Sequence, residues 1–391
     1  PRMKIYLIAG EPSGDKLGAA LMVGLRSLCP DVTFQGIGGP AMQAEGLHSL
    51  FDMADLSVMG LAEVVPRYAM LRRRLAAAVA DVTQAAPDAL ITIDSPDFCL
   101  RVSAGVKARM PAALRPAFIH YVAPSVWAWR PKRAQRMARV IDHVLALLPF
   151  EPPFMTGAGM SCDFVGHPVV AEPRANIAAA QEFRASHGIA LDAPLVMALP
   201  GSRRGEVTRL SPRFGQTLAQ VAERVPQMRV VVPRVLAQAG LVAEHCRDWP
   251  GQPVLLDPND AWAKRAAFAA ADVALAASGT VSLELAANDV PMVIGYDMAW
   301  LSRQIMARMI RVPSVTLVNL VSQTTAVPEF IGAACRPGPM ADALMAVLPG
   351  GEGRGAQLRA MALTMERLSR GGPPPGLRAA QSVLRYLAKR G

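Results

Sequence analysis

Short apolar runs alternate with segments of helical periodicity through the first 170 or so residues. "MKIYLIAG" precedes a helix expected from about Leu17, and "VTFQGIGG", a long helix near residues 62 to 86, "DALITIDS", "AFIHYVAP", "HVLALLPF" and "CDFVGHPVV" follow. Strand-length runs separated by helices predict an α/β fold built on a doubly wound parallel sheet. After "GHPVVAEPRAN" the alternation restarts with "APLVMALPGSRRGEV", "MRVVVPRV", "QPVLLD", "ADVALAASGT" and "VPMVIGYDM". The pattern therefore predicts two Rossmann-like halves, residues 1–170 and 171–350, joined near 168 to 178, where Pro168, Pro173 and Asn176 interrupt both patterns. Residues 351–391 read as C-terminal helices around a "GGPPPG" break, expected to pack back on the first half or on a partner subunit, so a homodimer is one expected assembly.

The composition suits two buried cores: of 391 residues, 52% are hydrophobic and 18% charged. Asp272, Glu284 and Asp289 interrupt the most apolar stretch, residues 266 to 296, so no window reaches the roughly 18 apolar residues of a membrane span. The first apolar run is short and leads into a polar turn; neither a signal peptide nor a transmembrane helix is expected, and a cytoplasmic location is. Five cysteines without a C-x-x-C pair and six scattered histidines predict no metal site. A net charge of +10, mostly arginine, calls for an anionic partner: nucleic acid, membrane surface or phosphorylated substrate. Aromatics at 5%, with no nucleic-acid-binding signature, favour phosphate or membrane over nucleic acid.

Ligands of open parallel sheets bind where strands end, which directs attention to the turns. In "LPGSRRGEV", Pro200 and Gly201 stop a strand and Ser202, Arg203 and Arg204 stand at the mouth of a helix, a setting for a diphosphate. In "ALAASGTVSLELA", Ser278, Gly279 and Thr280 open a helix and can wrap a phosphate, with Glu284 one turn on to accept from ribose hydroxyls. The plainer readings are a solvated arginine, an N-cap serine and a helix-surface glutamate. Together the two turns predict a nucleotide diphosphate site in the second half.

In the first half, "ITIDSPDF" brings Asp94 out of a buried strand, as a general base or as an ordinary turn former before Ser95-Pro96. "AGEPSGDKLGA" places Glu11 in a strand-to-helix turn that lacks the G-x-G-x-x-G spacing of a phosphate loop. Trp127 and Trp129 precede a basic helix carrying Arg130, Lys132, Arg133, Arg136 and Arg139, either a solvated face or a binding patch. Residues 56 to 75 set Val64, Val65, Tyr68 and Leu71 beside Arg67, Arg72, Arg73 and Arg74, a core-facing helix or one whose apolar face dips into a bilayer.

These strings, with "GIGGPAMQAEGL", "SVMGLAEVV", "YVAPSVWAWR", "LPFE" and "FVGHP" in order from residue 4 to about 335, resemble the lipid-A-disaccharide synthase family. The resemblance implies a metal-free GT-B glycosyltransferase without a cofactor, its two Rossmann-like domains facing across a cleft. Such an enzyme joins UDP-2,3-diacylglucosamine to 2,3-diacylglucosamine 1-phosphate with inversion, giving a β-1,6-linked lipid A disaccharide 1-phosphate and UDP. It implies Asp94 as the base, Glu11 and Ser13 facing the sugars, Arg203 and Ser202 on the diphosphate, Ser278, Gly279 and Thr280 cradling it, and Glu284 on the ribose. Asn319 is carried over as well, although Val318 stands where the family commonly has proline, and Ile331-Gly332 stand where a glutamine is usual. The implied location is the cytoplasmic face of the inner membrane, in peripheral contact with its anionic leaflet. A UDP-N-acetylglucosamine 2-epimerase, another UDP-sugar transferase and, more remotely, a nucleic-acid-binding protein are the rival readings.

Overall fold

A computed structural model describes residues 2–56, 61–126, 132–298 and 312–390, with side chains omitted for 61–67. Trp127, Trp129, Arg130 and the side chains of Val64, Val65 and Arg67 lie outside the described residues. The chain divides into two compact units, one formed by Pro1–Ala171 with Gly371–Gly391, the other by Glu172–Arg370.

In the first unit the apolar runs become β1 (Lys4–Ala9), β2 (Thr33–Ile37), β3 (Ala89–Ile93), β4 (Ala117–Tyr121), β5 (His143–Ala146) and β6 (Ser161–Phe164). They form a parallel sheet in the order β2-β1-β3-β4-β5-β6. Strand periodicity sends alternate side chains of β1 to opposite layers. Ile5 and Leu7 join a core with Leu21, Leu25 and Val383, while Tyr6 and Ile8 join another with Val79, Val82, Val102 and Val106. Helices on both faces are what leave the inner strands β3, β4 and β5 buried throughout rather than alternating.

The second unit repeats the plan with β7 (Leu195–Leu199), β8 (Arg229–Val232), β9 (Val254–Leu255), β10 (Val273–Ala277), β11 (Met292–Tyr296) and β12 (Glu329–Ile331). Their order is β12-β11-β10-β7-β8-β9. The order reverses between β1 and β3 in one sheet and between β7 and β10 in the other. At such switch points successive helices leave for opposite faces and open a crevice above the strand ends.

The tail, expected as a single segment, is divided. Helix Arg354–Arg367 belongs to the second unit, where the Gln357 amide donates to the Met292 carbonyl at 2.7 Å and accepts from its N–H at 2.8 Å. Helix Pro375–Arg390 belongs to the first and packs against helix Pro12–Leu28. Glycines set that close approach: a Cβ on Gly24 would lie 2.6 Å from the Gly376 carbonyl oxygen, and one on Gly376 would lie 2.5 Å from that of Ala20. Polar anchors fix the register, with Ser382 donating to Asp163 at 2.7 Å, Arg385 pairing with Asp163 at 3.0 Å, and Tyr386 stacked on His143.

Candidate active site

At the switch point of the first unit, two turns carry the acids. The helix beginning at Pro12 starts earlier than expected because proline suits the first helical turn, and extended Glu11 stands at its N-cap. Beyond β3 the backbone turns through two consecutive left-handed residues, Asp94 at φ 52° and Ser95 at φ 42°. Non-glycine residues held there cost on the order of 1–3 kcal/mol each, and such strain concentrates at functional turns. The Asp94 N–H donates to the Tyr121 carbonyl at 3.0 Å, which ties the turn to β4. Gly10 has to be small, because a Cβ there would lie 2.6 Å from Ser95 Oγ; the β1 and β3 turns touch at this point.

Burial raises the Asp94 carboxyl above the ordinary carboxylate value, opposed by a hydrogen bond from the Ser95 backbone. Burial raises Glu11 also, and the charge of Asp94 pushes it further. Each acid is thus poised to hold or take a proton. A cavity of about 210 Å³ opens beside Asp94, which lines it with Leu100, His120, Val122, Ser125 and Arg133 among others. His120 is bonded through Nδ1 to Thr92 Oγ1 at 2.7 Å, and burial lowers it to about 4, so its imidazole is neutral at pH 7. Ser13 is exposed in the first helical turn.

Asp15, in the same "PSGD" string, has a structural task. Its buried carboxylate accepts from the N–H groups of Gly39 and Ala41 at 2.9 Å and of Met42 at 3.0 Å. It thereby fastens the "GIGGP" turn to the first helix.

In the second unit, the turns after β7 and β10 are neighbours because those strands pair directly. Pro200 and Gly201 lead from β7 to Arg203, the N-cap of helix Arg204–Arg224. The Arg203 side chain is 77% exposed and pairs with Glu206 at 3.4 Å. Glu206, which sequence reading passed over, accepts from the N–H groups of Ser202 at 3.0 Å and Arg203 at 3.3 Å. Its signal was the glutamate three residues after the helix N-cap. Glu206 holds the turn in shape with a carboxylate where an anion's oxygen would otherwise sit.

Across from it, Gly279 adopts φ 146° and, with Thr280, is exposed above β10. Glu284 is ion-paired with Lys264 at 2.9 Å, leaving carboxylate lone pairs for other donors. Tyr296, also missed, ends β11 close enough for Glu206 to raise its phenol beyond the effect of burial, while Arg203 and Arg209 lower it. The structure therefore brings Ser202, Arg203 and Ser278–Thr280 to one switch point. Asn319 is buried, its amide donating to the Val327 carbonyl at 2.9 Å and accepting from the Val327 N–H at 3.0 Å, a clamp on its own loop.

Two six-stranded parallel sheets, each with its polar turns gathered where the strand order reverses, define a protein of the two-Rossmann-domain, GT-B-like fold class. A family model described as lipid-A-disaccharide synthetase matches residues 5–369, and the chain belongs to that family. A lipid-A-disaccharide synthase of Ruegeria pomeroyi is 58% identical over 388 residues, covering 98% of this chain and 95% of the relative. One from Rhodospirillum centenum is 47% identical over 391 residues, covering 99% and 95%. Among solved structures, an S. aureus MnaA-UDP co-structure superposes with a TM-score of 0.64 at 12% identity, covering 100% of this chain and 97% of that one. The Neisseria meningitidis UDP-GlcNAc 2-epimerase bound to UDP-GlcNAc gives 0.61 at 12%, covering 99% of both. At that identity the likeness is one of fold.

Proposed function

We propose that this chain transfers a 2,3-diacylglucosamine unit from its UDP carrier to the 6-hydroxyl of 2,3-diacylglucosamine 1-phosphate. The observation that carries the proposal is the half-buried, left-handed Asp94 turn at a sheet's switch point, in a chain that matches this family almost from end to end. Asp94 takes the proton of the acceptor hydroxyl as the O6–C1 bond forms. The bond between C1 and the diphosphate oxygen breaks on the opposite face, so the anomeric centre inverts and UDP departs with the electron pair. Arg203, the Ser202 hydroxyl and the N–H groups of the Ser278–Thr280 turn meet the charge that develops on UDP. Glu284 takes the ribose hydroxyls, and Glu11 and Ser13 lie on the sugar side. We propose that the reaction needs no metal ion or cofactor.

Incubation with both diacylated substrates should yield the disaccharide 1-phosphate by mass spectrometry, with EDTA leaving the yield unchanged. UDP-N-acetylglucosamine without acyl chains should be returned unaltered; its conversion to the 2-epimer would favour the epimerase reading, which rests on fold alone.

The location we propose is the cytoplasmic face of the inner membrane, in peripheral contact. Among the described residues no helix is long and apolar enough to cross a bilayer. Helix Leu61–Ala85 buries Ala78, Val79 and Val82 in the first unit's core, whereas Tyr68 is 54% exposed beside exposed Arg72 and Arg73. An exposed aromatic and two exposed cations along one stretch of this helix suit an anionic lipid surface, each cation contributing about 1 kcal/mol. Tyr68→Ser with Arg72→Gln and Arg73→Gln is expected to reduce co-sedimentation with anionic liposomes severalfold; unchanged binding by the folded variant would refute this contact.

A further inference from the structure

The cavity beside Asp94 holds a cation that the mechanism above does not use. Arg133 lies on the short helix Lys132–Met137, where Ala134 and Met137 are buried and Lys132 and Arg136 are exposed. Arg133 alone of these cations is half-buried and lines the cavity, together with Ser125. Among the described residues its guanidinium has no carboxylate partner. His120, the other basic group on the wall, is neutral at pH 7. Among the described residues, then, this half-buried guanidinium has given up part of its hydration with no counter-ion in return, which is the condition of a group awaiting an anion.

We propose that Arg133, with the hydroxyl of Ser125, binds the 1-phosphate of the acceptor sugar and makes the enzyme selective for a phosphorylated acceptor. The inference rests on the transferase reading above and adds to it the residue that recognises the acceptor. A guanidinium matches a phosphate monoester with two parallel hydrogen bonds, where an ammonium offers only a point charge. The sugar's geometry agrees with this: the hydroxyl that reacts is on C6, borne by C5, and the phosphate is on C1, the two ring carbons that flank the ring oxygen. Base and cation must then share a cavity without pairing with each other. Asp94 keeps a raised carboxyl, opposed by the Ser95 backbone rather than by a neighbouring cation, as that separation requires.

The experiment compares kcat/KM for 2,3-diacylglucosamine 1-phosphate and for 2,3-diacylglucosamine without phosphate, in the wild type, Arg133→Gln and Arg133→Lys. The wild type should prefer the phosphorylated acceptor, and Arg133→Gln should erase at least tenfold of that preference through the acceptor KM, with the KM of the UDP-sugar within twofold. Arg133→Lys should retain part of the preference and provides the readout if the glutamine variant does not fold. A wild type indifferent to the phosphate, a preference undiminished in both variants, or a rise confined to the donor KM would each overturn the assignment. Failure of the wild type to form any disaccharide would instead remove the transferase reading itself.

Discussion

Asp94→Asn is expected to lower kcat by about 10³-fold, within the 10²–10⁴ range of general base catalysis, while UDP affinity stays within twofold. Asparagine is the right replacement because, like aspartate, it tolerates the left-handed backbone found at φ 52°, so the turn survives and only the proton acceptor is lost. The pH dependence gives a second readout. The base works deprotonated, so activity rises with pH through the Asp94 pKa, and burial places that limb above the ordinary carboxylate range. The limb should vanish from whatever residual rate the variant shows.

Stability should move the other way. A carboxyl whose folded pKa is raised binds its proton more tightly folded than unfolded. Below the unfolded value it has no effect, stability falls as pH rises toward the folded value, and the deficit persists above it. Asp94→Asn removes that deficit, and its Tm at pH 7 should equal or exceed that of the wild type. Near-normal turnover in the variant would take the role of base away from Asp94.

Arg203→Ala is expected to weaken UDP binding at least about tenfold, the lower end of what loss of a hydrogen bond to a charged group, about 1.5–3 kcal/mol, implies. The fall in kcat should be larger, about 10²-fold, because the charge on the departing diphosphate grows toward the transition state. Folding should hardly notice: the side chain is 77% exposed, and its pair with Glu206 is of the solvent-screened kind that contributes little. Arg203→Lys should recover only part of the rate, since an ammonium lacks the two-pronged fit to phosphate. Titration calorimetry with UDP and steady-state rates check both numbers; unaltered affinity together with unaltered rate would remove Arg203 from the site.

Much of this architecture is legible along the chain. Apolar runs at β1, β3, β4, β7 and β10 are each bounded by glycine, proline or a polar turn, and burial on both faces makes such runs conspicuous. Strand order is written in no local pattern. Without it, nothing says that Gly10 meets Ser95, or that the turns of β7 and β10 are neighbours. Residues that were missed act through distant backbone: Asp15 on Gly39 and Met42, Gln357 on Met292. A polar side chain bonded to main-chain atoms depends on fold more than on the partner's identity, so the sequence around it carries little trace. Glu206 and Tyr296 were missed for a related reason, since their significance arises only where strand ends converge.

The close crossing of helices Pro12–Leu28 and Pro375–Arg390 also bears on how the protein is made. Translation delivers the first unit's sheet early, but Leu21 and Leu25 wait for Ala379, Ala380 and Val383, which emerge only after the whole second unit has been synthesised. Until then the nascent chain carries a bare oily groove along its earliest helix. Ribosome-bound intermediates stalled near residue 370 should therefore be prone to chaperone capture, a vulnerability that a strictly sequential two-domain layout would not have.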